Sequence, residues 1–498
     1  MIAGVRRAFL IASGERYARM GINLVMLVVV ARLLTPVDFG ISVLGSGFLL
    51  IADELREVGT ASYLIQKENV ATTEIRTAFT VIFLVTLVLT AVLILAAPRL
   101  ATFYSTPELQ PYLYLVAATF LVGPFPATTL ALLRRDLAFG TLAVIRTVSA
   151  LVLCFVTIIL ATLGFRYLSL GWGALAGATT NLILGLYYRP AFSGFVPSLR
   201  EWRGAARFAG YDCVTILLNR ACDLLPYIVF GRTLGLEVVG MLRQASTTSQ
   251  LPERMLLSSV GSVALPVFSA ALRNGHALKQ FYLGGIDYIT AVYWPALALL
   301  AILAHPIVQL LFGQQWEAIV PLVQIMSCAW MFSFPTPLTY PVLIAVGAVR
   351  NTLAESLAGL PISAFILILA SLYGLRAVVL SMLLTLPLQA CVALYFVRRQ
   401  IPFTVAELAG AVAKSCQITV LSVAGPLVFA LAMDLDFRFT LPAAAVIAGL
   451  AVAGWLTGIW LTQHRLLEDI KQVVQSMVRI VGFAGKGRLA WWHDGRSG

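Results

Sequence analysis

The chain has 498 residues, 60% of them hydrophobic and only 12% charged, with a formal net charge of +12 and a mean hydropathy of +0.90. Soluble domains carry about 25% charged residues, so a soluble enzyme, a disordered scaffold and a disulfide-stapled secreted module are excluded. At ~20 residues per crossing the apolar content furnishes about fourteen membrane spans.

In chain order, apolar runs predict helical spans over 17–35, 40–62, 76–97, 111–132, 141–162 and 168–188. A second series covers 206–231, 242–270, 284–304, 317–345, 352–373 and 376–397, and two more lie at 411–433 and 441–463. The first twenty residues lack the apolar core and small-residue cleavage site of a removable signal, so the first span is expected to be a permanent anchor. With the N-terminus inside, Lys and Arg number 24 on the cytoplasmic side and 7 on the other. That bias predicts both termini in the cytoplasm. The longest polar stretches are 190–205 and the tail from 464, which predicts that the chemistry lies within the bilayer.

The two six-span series repeat one another. Ala31-Arg-Leu-Leu-Thr-Pro-Val-Asp-Phe-Gly40 follows the first span and Gly231-Arg-Thr-Leu-Gly-Leu-Glu-Val-Val-Gly240 follows the seventh. Ile94-Leu-Ala-Ala-Pro98 returns as Ile302-Leu-Ala-His-Pro306, and Thr141-Leu-Ala143 as Thr352-Leu-Ala354. Such order predicts an all-α polytopic membrane protein with two pseudo-symmetric six-helix lobes around a central cavity, plus two extra C-terminal transmembrane helices. The expected domains are 1–190, 206–400, 411–463 and a cytoplasmic amphipathic basic tail at 464–498.

A charge inside a span costs about 2.5–3.5 kcal/mol even on lenient scales, so such charges are functional candidates. The second span carries Asp53, Glu54, Arg56 and Glu57, which predicts a wet surroundings or a broken helix. Arg220 and Asp223 share one face of the seventh span; ion pairs that merely hold helices together are the bland alternative for both groups. Arg146 lies in the fifth span and Arg254, beside Pro252, in the eighth. Arginine forks suit phosphate oxygens, so Arg56, Arg146, Arg220 and Arg254 are the candidate cation set. Asp53, Glu54, Asp212 and Asp223 are candidates for ion coupling. Prolines such as Pro124, Pro126, Pro226 and Pro252 are expected to kink spans, as passive shape or as hinges. In the tail, Leu466, Leu467, Ile470, Val473, Val474 and Met477 form one apolar stripe beside basic residues, which predicts an interfacial helix. Six cysteines without a CxxC pair and four scattered histidines indicate neither disulfides nor metal; no cofactor is expected.

Several segments resemble a known family. Ala31–Gly40 followed by Val58-Gly-Thr-Ala-Ser-Tyr-Leu-Ile-Gln66 is similar to the opening of the polysaccharide transporter family. These are the Wzx-type oligosaccharide flippases of the multidrug/oligosaccharidyl-lipid/polysaccharide exporter superfamily. Leu132-Leu-Arg-Arg-Asp-Leu-Ala-Phe139 resembles its first cytoplasmic segment, and His305-Pro-Ile-Val-Gln-Leu-Leu-Phe-Gly-Gln-Gln-Trp316 its most specific motif. Ala345-Val-Gly-Ala-Val-Arg350 fits a short turn, with Gly-Ala where the family often has Gly-Arg. The likeness covers about 1–400 and is closest to the exopolysaccharide and colanic-acid branch. It implies a bacterial inner-membrane flippase for undecaprenyl-diphosphate-linked oligosaccharides, working with membrane lipids and with a polysaccharide polymerase and export machinery. A cation-coupled multidrug antiporter of the same superfamily is the alternative. A membrane polymerase or glycosyltransferase is the enzyme-class rival, disfavoured because no nucleophile–base pair, phosphate loop or metal triad stands in the sequence.

Overall fold

The computed structural model describes residues 2–56, 72–189, 196–198, 202–432, 439–468 and 471. Every regular element among them is helical. The described parts of the expected spans lie mostly on helix. Among the described residues, eight helical stretches are long and apolar enough to cross a membrane, or nine if one bent pair counts as a single span. The tail beyond Lys471 and the motif at 58–66 lie outside the described residues.

The chain forms two compact units. The first holds Met1–Thr248, Ile307–Met326 and Thr352–Gln389. Its N-terminal part is α1 (Ile2–Leu33), α2 (Pro36–Arg56), α3 (Thr72–Phe103), α4 (Leu109–Val122), α5 (Pro124–Arg135), α6 (Phe139–Thr162), α7 (Leu168–Tyr188), α8 (Trp202–Thr233) and α9 (Leu236–Ser249). The second unit is Ser249–Pro306, Ser327–Asn351 and Ala390–Gly498. Downstream of α9 the chain makes a π-helical turn at Glu253–Leu257. It then forms α10 (Ser258–Arg273), α11 (Leu278–Ile302), α12 (Ala304–Phe312), α13 (Val320–Trp330), α14 (Thr336–Ala345), α15 (Val349–Ser371), α16 (Leu375–Gln400), α17 (Val405–Ala432) and α18 (Leu441–Leu461).

Large apolar side chains such as Val88, Leu95, Phe155 and Ile183 project from the helix surfaces. In water that would be an aggregation liability; in hydrocarbon it is the favoured outside. The same solvent explains the threonines. Thr77, Thr80 and Thr90 each donate their hydroxyl to the carbonyl four residues back, at 2.7–2.8 Å, which satisfies a polar group without water.

Within the first unit, α6 and α7 pack through glycine. A Cβ at Gly173 would lie 1.9 Å from Thr157 Oγ1, and one at Gly177 would lie 3.1 Å from Leu153 Cβ. Gly173-Ala-Leu-Ala-Gly177 thus acts as a small-xxx-small seam, where the missing side chains let two backbones approach. The start of α2 is a capping box. Asp38, only 1% exposed, accepts from Thr35 Oγ1 at 2.7 Å and Thr35 N at 3.1 Å, while Asp38 N donates to Thr35 Oγ1 at 3.3 Å. Arg166 Nε lies 3.3 Å from Asp38 Oδ1.

Two of the family-like motifs meet at this corner. Trp316, fully buried, donates its indole N–H to Ala31 O at 2.7 Å. Gln315 Nε2 donates to Ala31 O at 2.6 Å and Leu34 O at 3.2 Å, and the Phe39 and Trp316 rings meet edge to face, 5.3 Å apart. The last carbonyls of α1, which no intrahelical donor reaches, are satisfied by residues nearly three hundred positions away.

In the second unit, α11 carries the C-terminal pair α17 and α18. Thr290 Oγ1 donates to Ser415 Oγ at 2.8 Å, and Trp455 Nε1 donates to Ala291 O at 2.9 Å. His464 Nε2, at the end of α18, lies 2.9 Å from Asp287 Oδ1.

Candidate functional site

A cavity of about 540 Å³ opens inside the first unit, walled by α1, α2, α4, α5, α6 and α7, within the size range of small-molecule sites. Among the described residues, Arg19, Arg134 and Arg146 line it, with Asp53 the one acidic residue beside the polar Asn23, Thr119, Ser149 and Asn181.

Local sequence places each wall. The 44° bend between α4 and α5 falls at Gly123–Pro124, and Gly123 and Pro126 both line the cavity. A proline lacks the N–H and crowds the turn before it, so the chain breaks here at an expected kink, while Pro226 lies inside the unbroken α8. On α6, Arg146, Ser149, Ala150 and Leu153 share a face. On α7, Ala174, Gly177, Ala178 and Asn181 do the same. Arg19 pairs with Glu15 one turn earlier, at 3.1 Å.

Of the residues singled out from sequence, the cavity brings together Arg146 and Asp53. Arg220 stays on α8, where its Nη1 lies 3.7 Å from Asp223 Oδ2. Arg254 sits in the π-helical turn of the second unit, its Nη2 3.5 Å from Gln250 Oε1. The side chains of Glu54, Arg56 and Asp212 lie outside the described ones.

Arg19 and Arg134 escaped the sequence reading because they stand at the ends of predicted spans, where a basic residue reports orientation. For Arg134 the available signal was Gly123-Pro124-Phe-Pro126 just upstream: a bent span need not end at the membrane face. The arrangement can hold an anion. Guanidinium forks bind phosphate and carboxylate oxygens bidentately, and low-dielectric walls strengthen that attraction.

The fold matches the lipid II flippase MurJ in an inward closed conformation with a TM-score of 0.75, covering 92% of this chain and 100% of MurJ at 13% identity. It matches an inward-facing MATE multidrug transporter at 0.64, covering 79% and 98% at 15% identity. The chain is thus a multi-pass helical membrane protein that shares its fold with these two proteins.

The family is the one described as polysaccharide biosynthesis protein, whose model matches residues 29–321, and the chain belongs to it. Among relatives, it is 24% identical to the lipopolysaccharide biosynthesis protein WzxC of Escherichia coli K12 over 62% of this chain and 63% of WzxC. It is 25% identical to the succinoglycan biosynthesis transport protein ExoT of Rhizobium meliloti over 66% of each chain. It is 23% identical to the teichuronic acid biosynthesis protein TuaB of Bacillus subtilis over 56% and 58%. The chain spans less than two thirds of the length of these relatives.

Proposed function

We propose that this protein is a bacterial inner-membrane flippase that turns undecaprenyl-diphosphate-linked oligosaccharides from the cytoplasmic to the periplasmic leaflet for exopolysaccharide or lipopolysaccharide synthesis. The observation that carries the reading is the cavity of the first unit, lined among the described residues by Arg19, Arg134, Arg146 and one acidic residue, Asp53. A diphosphate needs such cations, the glycan needs polar walls, and the lipid tail can stay in hydrocarbon. The protein would work by alternating access, with both termini cytoplasmic. Asp53, which lines the cavity, is the favoured coupling carboxylate. A polymerase and export machinery would take the delivered unit onward. No chemical step is asked of the protein, so it is read as a transporter and not an enzyme.

The same fold in a MATE multidrug transporter supports a cation-coupled antiporter as the second reading. Three arginines in the cavity would repel an organic cation, which weighs against it. The test is a deletion strain of the source bacterium. Loss of surface polymer with accumulation of diphosphate-linked units on the cytoplasmic side supports the flippase. Unchanged polymer with new sensitivity to cationic compounds supports the antiporter.

A further inference from the structure

One ion pair on α1 stands half inside the cavity wall and half behind it. Arg19 lines the cavity and Glu15 does not. Glu15 Oε1 lies 3.1 Å from Arg19 Nε, and the Glu15 side chain is 10% exposed against 39% for Arg19. That carboxylate oxygen is buried, so a ligand in the cavity meets it only through the guanidinium. On an exposed helix face an i,i+4 pair of this kind is ordinary and worth about twofold in an equilibrium. Here the carboxylate is withdrawn from water, and its field on the cavity is less screened.

A guanidinium carries five N–H donors. The pair meets Arg19 at Nε, so among the described residues its two-nitrogen Nη edge is left to grip phosphate oxygens. Glu15 therefore acts on an anion in the cavity in two opposed ways. It steadies Arg19, which helps binding by about twofold. It also sets a negative charge about 7–8 Å from a phosphate held on the far side of that guanidinium, which at an effective dielectric of about 20–40 hinders binding by about fivefold to fiftyfold. The repulsion is the larger effect. A site built for affinity alone would do without this carboxylate. A transporter must also let its cargo go, and tighter binding shows mainly as slower release. Resting on the diphosphate reading above, we propose that Glu15 is a positioning residue and counter-charge. It holds Arg19 at the wall and keeps the cavity's grip on the diphosphate weak enough for release.

The experiment measures binding to the full-length protein in lipid nanodiscs. Its three probes differ in headgroup charge: undecaprenol, undecaprenyl phosphate and undecaprenyl diphosphate. E15Q keeps the shape of the side chain and drops its charge. It should bind the diphosphate about tenfold tighter than the wild type, the monophosphate about threefold tighter and undecaprenol as before. E15A should follow E15Q, while E15D, which keeps the charge, should stay within about twofold of the wild type. In reconstituted vesicles E15Q should flip the diphosphate-linked cargo about threefold to tenfold more slowly. A glutamate that merely supports the helix predicts the opposite sign, with weaker binding and no dependence on probe charge. The proposal is overturned if E15Q binds the diphosphate no tighter than the wild type, tightens all three probes equally, or flips cargo at an unchanged or higher rate. The diphosphate reading is scored on the wild type alone. If the wild type binds undecaprenyl diphosphate no tighter than undecaprenol, that reading falls and the counter-charge with it. A wild-type preference for the diphosphate that E15Q leaves unchanged overturns the counter-charge only.

Discussion

Gly40 and Gly240, which occupy the same place in the two copies of the repeat, press against each other's helix start. A Cβ on Gly40 would fall 1.9 Å from Leu236 O, and one on Gly240 would fall 2.0 Å from Pro36 O and 3.0 Å from Gly40 N. The relation is reciprocal, as it is across a two-fold axis. Because both obstacles are backbone, no side-chain rotation relieves them. G40A and G240A are therefore each expected to destabilise the protein by about 1–3 kcal/mol, read as a lower melting temperature in detergent. A double variant that melts like the wild type would refute the tight crossing.

The clasp on α1 makes a second prediction. W316F keeps the aromatic packing against Phe39 but loses the bond to Ala31 O, and should cost about 1 kcal/mol. Q315A loses the donor to both Ala31 O and Leu34 O and should cost a similar amount. Since both share the Ala31 carbonyl, their effects in combination should fall short of additive. A double-mutant thermal series checks this.

Export depends on the cavity arginines if the proposed function holds. Replacing Arg19, Arg134 or Arg146 with alanine should each reduce transport of the diphosphate-linked substrate by about tenfold to a hundredfold, the value of one charge-assisted bond. Lys279, whose ammonium pairs with Glu407 outside that cavity, supplies the control. K279A should remain within about twofold of the wild type, as surface changes do. Reconstituted vesicles with equal protein content give the comparison.

In the second unit, the contact of His464 with Asp287 ties the end of α18 to α11. Leu466 N donates to His464 Nδ1 at 3.2 Å, which leaves Nε2 as the protonated nitrogen facing the carboxylate. H464L strands that carboxylate beside a fully buried position and should lower stability by about 1–3 kcal/mol. D287N keeps an oxygen acceptor there and should cost less. If H464L melts no lower than D287N, the contact contributes nothing.

Much of this architecture was legible in one chain. Hydropathy runs marked the helices because hydrocarbon admits few other spanning structures, and Pro124 marked the bend because its ring removes a donor and crowds the preceding turn. Arg146 and Asp53 stood out because a charge deep in a span is too costly to be idle, and both line the cavity. Arg19 and Arg134 did not stand out, since at a span's end the same charge is cheap and its meaning turns on where the helix leads.

What the sequence determined by itself was therefore the solvent, the helices, the repeat and the family. Each follows from local composition or order along the chain. The tertiary structure decided which charges share a cavity and that Trp316 satisfies a carbonyl of α1. Those outcomes depend on contacts between residues far apart in the chain, set by how closely small residues such as Gly40, Gly173 and Gly240 let helices approach.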